Sequence, residues 1–170
     1  MNRWLLIIPA IVLVAFAIIG GQQLFAPEKP DFTRIERSAP NISFETLGGG
    51  SLKFSETGES QPIAVNLFAS WCAPCEVEHP KLLEIAAQRP GQLYGVLYKD
   101  KVENGQAFIN RLGNPFTDIA LDQTGQGGLD FGLTGVPETF VISPEGTIIL
   151  HVRGPLTDAT TQDVVDALGQ

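Results

Sequence analysis

The chain has two cysteines, and they stand as a Cys-x-x-Cys pair between an apolar run and a helix-like stretch. That arrangement constrains the fold more than any other feature. Ile63 to Ala69 (Ile-Ala-Val-Asn-Leu-Phe-Ala) is near-continuously apolar, as a central strand covered on both faces requires. It leads straight into Ser70-Trp71-Cys72-Ala73-Pro74-Cys75 and a helical stretch to about Gln88. There Val77, Leu82, Ile85 and Ala86 can share a face, and Pro90-Gly91 stops the helix.

This spacing suits a reversible disulfide. Cys72 falls in the first turn, where unpaired backbone N–H groups and the helix dipole favour a thiolate. Cys75, one turn deeper, would be shielded and would resolve a mixed disulfide. Pro74 is tolerated in a first turn because its missing N–H would have had no helical partner. Trp71 can cover the apolar side of the site. A structural zinc site needs four ligands, and only His79 and His151 could add to the two cysteines. A purely stabilising disulfide is poorly served by so short a loop, which removes little chain entropy. Redox exchange is the reading that remains strongest.

The rest of the chain alternates strand and helix signals. Ile42 to Leu47 and Ser51 to Phe54, joined by Gly48-Gly49-Gly50, read as a hairpin. Leu93 to Leu97 is a strand, Asn104 to Leu112 a helix with Ala107, Phe108 and Leu112 inward, and Asp118 to Leu121 a short strand. Glu138 to Ser143 and Thr147 to Val152 flank the turn Pro144-Glu145-Gly146, and Thr160 to Leu168 closes the chain as a helix. Such an order predicts an α/β layer structure with a mixed sheet flanked by helices. Phe116, Phe131 and Phe140 read as core rather than a haem pocket. His79 reads as an exposed helix residue and His151 as structural within its strand.

The N-terminus adds a second constraint. Trp4 to Ile19 carries no charge and Gly20-Gly21 extends the run, making about 18 uncharged residues against the ~20 that cross a bilayer. Arg3 and the terminal amine precede it, so the following domain is expected outside the cytoplasm. An uncleaved signal anchor over residues 1–21 is the preferred reading, with a cleaved signal peptide at Ala15-Phe16-Ala17 as the rival. Residues 22–38, with Pro27 and Pro30 among mixed charges, read as a tether, and residues 39–170 as the globular domain. With 11 Lys and Arg against 19 Asp and Glu, the net charge of −8 argues against a nucleic-acid partner.

Trp71-Cys72-Ala73-Pro74-Cys75 together with Gly135-Val136-Pro137-Glu138-Thr139-Phe140 resembles the DsbE/CcmG family, the thioredoxin-like reductases of cytochrome c maturation. Glu78-His79, Tyr98-Lys99-Asp100 and Leu112-Gly113-Asn114-Pro115 extend the likeness from about Ala39 to the C-terminus. The resemblance implies a thioredoxin-like fold with Cys72 as attacking thiolate and Cys75 as resolving thiol. It makes Pro137 a cis-proline facing the cysteines, with the backbone at Val136 and Pro137 free to pair an extended substrate segment. Glu138 and Glu78 match acidic positions near the family's active site. A carboxylate there can disfavour the Cys72 thiolate by like-charge repulsion. Alternatively, burial can raise its own pKa so that it exchanges protons with Cys75. Glu78, in the first turns of its helix, can also simply complement the dipole. Tyr98-Lys99-Asp100 can shape the rim.

The implied partners are an apocytochrome c with its haem-binding Cys-x-x-Cys-His segment, or an accessory thiol protein that handles it. A membrane thiol carrier is implied as electron donor. The implied location is the inner membrane, single-pass, with the domain in the periplasm. No metal or organic cofactor is called for beyond the Cys72–Cys75 disulfide. The alternatives are a general periplasmic reductase, a copper-handling thiol protein using Cys72, Cys75 and a histidine, and a binding chaperone for apocytochrome.

Overall fold

The structure is a computed structural model that describes Phe16, the backbone of residues 31–33, and residues 37–57 and 60–170. Apart from Phe16, the segment 1–21 read as a membrane anchor lies outside the described residues, as does most of the 22–38 tether. Among the described residues no helix is long and apolar enough to cross a membrane.

The apolar run forms the central strand β5 (Ile63–Phe68), every residue of which is buried. Six further strands join it in one mixed sheet. They are β1 (Asp31–Thr33), β2 (Arg37–Ser38), β6 (Leu93–Tyr98), β7 (Ile119–Asp122), β8 (Glu138–Ile142) and β9 (Thr147–Arg153). The order is β1-β9-β8-β5-β6-β7, with β2 also on β9. β5 and β6 run parallel, as do β6 and β7, whereas β8 and β9 are antiparallel to their neighbours. The turn from β8 to β9 uses Gly146 at φ 74°, where an added Cβ would stand 2.7 Å from the Ser55 carbonyl oxygen.

Strand alternation divides the core in two. One face carries Ala64, Phe68, Leu93, Leu97 and Val141. It packs beneath α2 (Ala73–Gln88), α3 (Val102–Leu112) and α5 (Asp158–Ala167) through Leu82, Ile85, Phe108, Ile109, Val164 and Val165. The other face carries Ile63, Val65, Leu67, Phe140 and Ile142. It is covered by the hairpin β3 (Phe44–Glu45) and β4 (Ser51–Leu52), by α1 (Phe54–Thr57) and by α4 (Gln126–Phe131). The hairpin pairs Phe44 with Leu52 and attaches to the edge of β7 through Thr46 and Leu47.

Several expectations change in detail. Phe54 opens α1 instead of ending a strand, because its ring is fully buried among Phe44, Tyr94 and Phe131 at 5.5–6.3 Å. The inward stripe of α2 is Cys75, Glu78, His79, Leu82 and Ile85, and Val77 is 76% exposed. Two polar residues on that stripe hid its phase from an apolar count. In α3 the inward residues are Gly105, Phe108 and Ile109, while Ala107 faces out and Leu112 is only partly covered.

α4 gives no periodic signal and is assembled by tertiary contacts. Asp122 accepts from the Gly125 and Gly128 amides at 2.9 and 2.7 Å, and a Cβ on Gly127 would lie 2.3 Å from the Phe44 ring. Asp31–Thr33 and Arg37–Ser38, within the stretch read as a tether, run antiparallel along β9. They satisfy backbone groups that an edge strand would otherwise present to solvent.

Candidate active site

β5 delivers the chain to the end of the sheet, and Ala69-Ser70-Trp71 carry it to Cys72, the N-cap of α2. Cys72 is extended (φ −93°, ψ 101°), as an N-cap is, and its Sγ accepts the Cys75 amide at 3.2 Å. Pro74 lies in the first turn without loss of a helical hydrogen bond. Cys72 and Cys75 form a disulfide with Cα atoms 5.3 Å apart, and both are buried. When it is reduced, the sulfur at the helix start meets the orphan amides and positive end of α2, which favour its thiolate.

The facing wall is the segment before β8. The Val136–Pro137 peptide is cis, and the Val136 carbonyl oxygen lies 3.5 Å from Cys72 Sγ. Pairing of Leu67 with Glu138 sets this segment beside the end of β5. On the opposite flank the end of β6 braces the cysteine loop. The Trp71 indole N–H donates to the Lys99 carbonyl at 3.2 Å, with Lys99 at φ 46°, a conformation rare outside glycine. Asp100 accepts the Ser70 amide at 2.6 Å and the Lys101 amide at 2.8 Å. Burial pushes the Asp100 carboxyl up, but these bonds and Asn104 outweigh it and hold it below its ordinary range. Trp71 itself is 59% exposed, forming rim more than cover.

The two glutamates are separated by the sheet. Glu78 shares the inward stripe of α2 with Cys75 and is 1% exposed. Its carboxylate accepts from Asn66 Nδ2 at 2.9 Å and from the Leu156 amide at 2.8 Å. Asn66 Nδ2 also reaches Thr139 Oγ1 at 3.0 Å. Burial outweighs both bonds and pushes the Glu78 carboxyl up to about 7. The alternative that Glu78 merely complements the helix dipole at the surface does not hold, since the side chain is enclosed between α2, β5 and the entry to α5.

Glu138 alternates with Phe140 and Ile142 onto the other face, away from α2. Its Oε2 pairs with His151 Nε2 at 2.7 Å, and its Oε1 accepts the Thr134 and Gly135 amides at 3.0 and 3.3 Å and the Thr134 hydroxyl. Burial pushes the carboxyl up, but the bonds from His151 and Thr134 prevail and lower it. The Glu138 side chain thus bonds the residues just before the cis-proline from the face of the sheet away from α2. Strand alternation with Phe140 was the signal for this.

The histidines also differ from expectation. His79 is 2% exposed, not solvated; its Nε2 bonds the Gly113 carbonyl at 2.9 Å and its ring stands edge-on to Phe108. Burial pushes its pKa down. His151 is engaged through its Nε2 with Glu138. Among the described residues no cluster of three or more His, Cys, Asp and Glu is arranged to hold a metal ion. Phe116, Phe131 and Phe140 are core residues, as expected. Asn66, Thr134 and Thr139 were missed by sequence reasoning. Asn66 had a signal, as the lone polar residue in an otherwise apolar strand.

Comparison with known proteins bears on this geometry. The AhpC/TSA family matches residues 35–151. The chain is 33% identical to the thiol:disulfide interchange protein HelX of Rhodobacter capsulatus, over 99% of this chain and 97% of that protein. It is 35% identical to a DsbE homolog of Paracoccus denitrificans, over 89% and 86% respectively. Among solved structures, MTB DsbF, described in mixed oxidized and reduced forms, superposes with a TM-score of 0.65 at 29% identity, covering 75% of this chain and 95% of that one. The expected thioredoxin-like fold, with its central mixed sheet, is thus present.

Proposed function

Since the chain belongs to the AhpC/TSA family and, within it, to the thiol:disulfide interchange proteins of the DsbE, HelX and CycY type, we propose that it is a membrane-tethered periplasmic reductase serving cytochrome c biogenesis. The observation that carries the reductive chemistry is the Cys72–Cys75 disulfide at the start of α2, faced by the Val136 carbonyl of a cis-proline segment.

In the reduced protein the Cys72 thiolate attacks one sulfur of a client disulfide. The client S–S bond breaks, a Cys72–client bond forms, and the departing client thiolate takes a proton. Cys75 then gives up its proton and attacks Cys72. The second client thiolate leaves and is protonated, and two electrons have passed to the client. Glu78, on the same inward stripe as Cys75 and with its carboxyl near 7, is the group suited to take and return the Cys75 proton. The exchange needs no metal or organic cofactor; a membrane dithiol carrier restores the reduced state.

Strand addition at Val136 and Pro137 suits an extended client segment such as the haem-binding Cys-x-x-Cys-His of an apocytochrome c, or a segment of an accessory thiol protein. Residues 31–33 and 37–38 of the stretch read as a tether lie along β9 in the sheet, so the tether proposed here is the part before Asp31. Asp31 pairs with Arg153, Arg153 with Glu138, and Glu138 with Leu67. A chain arriving from a membrane therefore joins the sheet at the end that holds the disulfide.

Trapping tests the reading. Full-length protein with Cys75→Ser should accumulate mixed disulfides between Cys72 and apocytochrome c or an accessory thiol protein, identified by mass spectrometry. Recovery of unrelated periplasmic proteins alone would point to a general reductase. A fractionation in which the protein is released without detergent would sink the tether.

A further inference from the structure

Disulfide exchange as described leaves the buried pair on the far face of the sheet without a role. Glu138 and His151 are each 1% exposed, and their contact is 2.7 Å. A carboxylate only accepts, so His151 Nε2 carries the hydrogen of this bond. The ring is held from a second direction by stacking on Phe140, centroids 4.1 Å apart at 21°. Arg37 closes the same region, lying over the Phe140 ring at 5.9 Å and donating to the Asp130 and Phe131 carbonyls.

The other oxygen of Glu138 gathers the Thr134 amide and hydroxyl and the Gly135 amide. The next residue is Val136, whose carbonyl meets Cys72. A bonded path therefore runs from His151 through Glu138 into the segment that faces the disulfide. We infer that His151 is a positioning residue for substrate docking: through Glu138 it fixes the Thr134–Val136 backbone along which an extended client segment pairs. The inference rests on the strand-addition reading above.

The physical reason is pre-organisation. Glu138 lies buried, and among the described residues its side-chain partner outside the loop is His151. Without that N–H the carboxylate must turn to other donors or take up a proton, and its hold on the loop amides weakens. A client that pairs with those backbone groups then has to order them on binding. A small disulfide with no backbone to pair has nothing to lose.

The experiment compares reduction of an extended peptide disulfide and of 2-hydroxyethyl disulfide, which has no peptide group, by the full-length protein. His151→Phe keeps a ring on Phe140 and removes the N–H. The kcat/KM for the peptide should fall about tenfold, chiefly through KM, with 2-hydroxyethyl disulfide changing less than about twofold. Amide exchange at Thr134 and Gly135 should quicken in the same protein. His151→Gln, which can again donate to Glu138, should recover most of the peptide rate.

Equal slowing of both substrates, or an unchanged peptide rate, would overturn the inference. If the His151→Phe protein does not fold, Thr134→Val decides. This residue lies at the exposed end of the path, and its loss of the hydroxyl donor should slow only the peptide; no selective slowing overturns the inference. Wild-type protein that reduces 2-hydroxyethyl disulfide but not the peptide would refute strand addition itself. That outcome is distinct from an active wild type with an indifferent His151 variant.

Discussion

Glu78 and Glu138 are equally buried, lie on opposite faces of one sheet, and are driven in opposite directions. Beneath α2, Glu78 meets two neutral N–H donors among the described residues, and loss of water decides its state. On the far face Glu138 meets a histidine and three donors of one short loop, and these overcome the loss of water there. Surface exposure alone does not fix what a carboxylate does; the loss of water weighed against the number and kind of its donors does. The first site is built to change protonation near neutral pH, and the second to stay ionised and hold backbone in place.

The largest effect that would break this comparison is at Glu78. Glu78→Gln keeps the shape and removes the titrating group. Resolution of the Cys72 mixed disulfide by Cys75 should slow about a hundredfold at pH 7, as expected for loss of a general base, and lose its pH dependence around neutrality. Stopped-flow measurement of client release across pH would show it. Stability should move the other way. The folded pKa lies above the ordinary value of 4.5, so the folded state gains relative stability below pH 4.5, loses it as pH rises toward about 7, and bears the whole cost above that. The oxidised Glu78→Gln protein should therefore exceed wild type by ~2–4 kcal/mol at pH 8 and by little at pH 4, read from urea melts. A rate and stability that ignore the substitution would erase the distinction between the two faces.

Glu138→Gln sharpens the other half. The folded pKa is depressed, so the carboxylate stabilises the protein above its unfolded value, and that contribution is lost as pH falls through the folded value. The amide keeps an acceptor for the loop but loses the ionic partner of His151. A loss of ~1–3 kcal/mol at pH 7 is expected in urea melts, with the Cys72 thiolate absorbance titrating as in wild type. A fall in the Cys72 pKa would show that the charge is felt through the sheet after all.

The smallest effect belongs to a third carboxylate, Asp100, which stays ionised while bonding the Ser70 amide two residues before Cys72. Asp100→Asn retains an acceptor and removes the charge. The Cys72 pKa should fall by about half a unit or less, a screened like-charge term at a partly open rim. Thiolate absorbance against pH measures it.

Much of the architecture was legible along the chain. The apolar run into Cys72, the turn at Gly146, and the alternation of strands with helices each follow from patterns a few residues long, as does the disulfide pair itself. The cis peptide at Pro137 was implied by resemblance to a family, not by any pattern in the local residues. What escaped was the surroundings of polar groups. Val77 was assigned inward because apolar residues were counted, whereas Glu78 and His79 hold that stripe. Their partners, the Leu156 amide and the Gly113 carbonyl, come from 78 and 34 residues away.

By itself, then, the sequence determined the redox pair, its placement between a buried strand and a helix, and the order of the elements, because local periodicity and turn chemistry act over short spans. Only the tertiary structure decided that Glu78 lies with the cysteines and Glu138 behind them, that His151 completes the second site, and that β1 and β2 line β9. Each of these depends on a partner far along the chain, and a buried polar group has no defined state until that partner is in place.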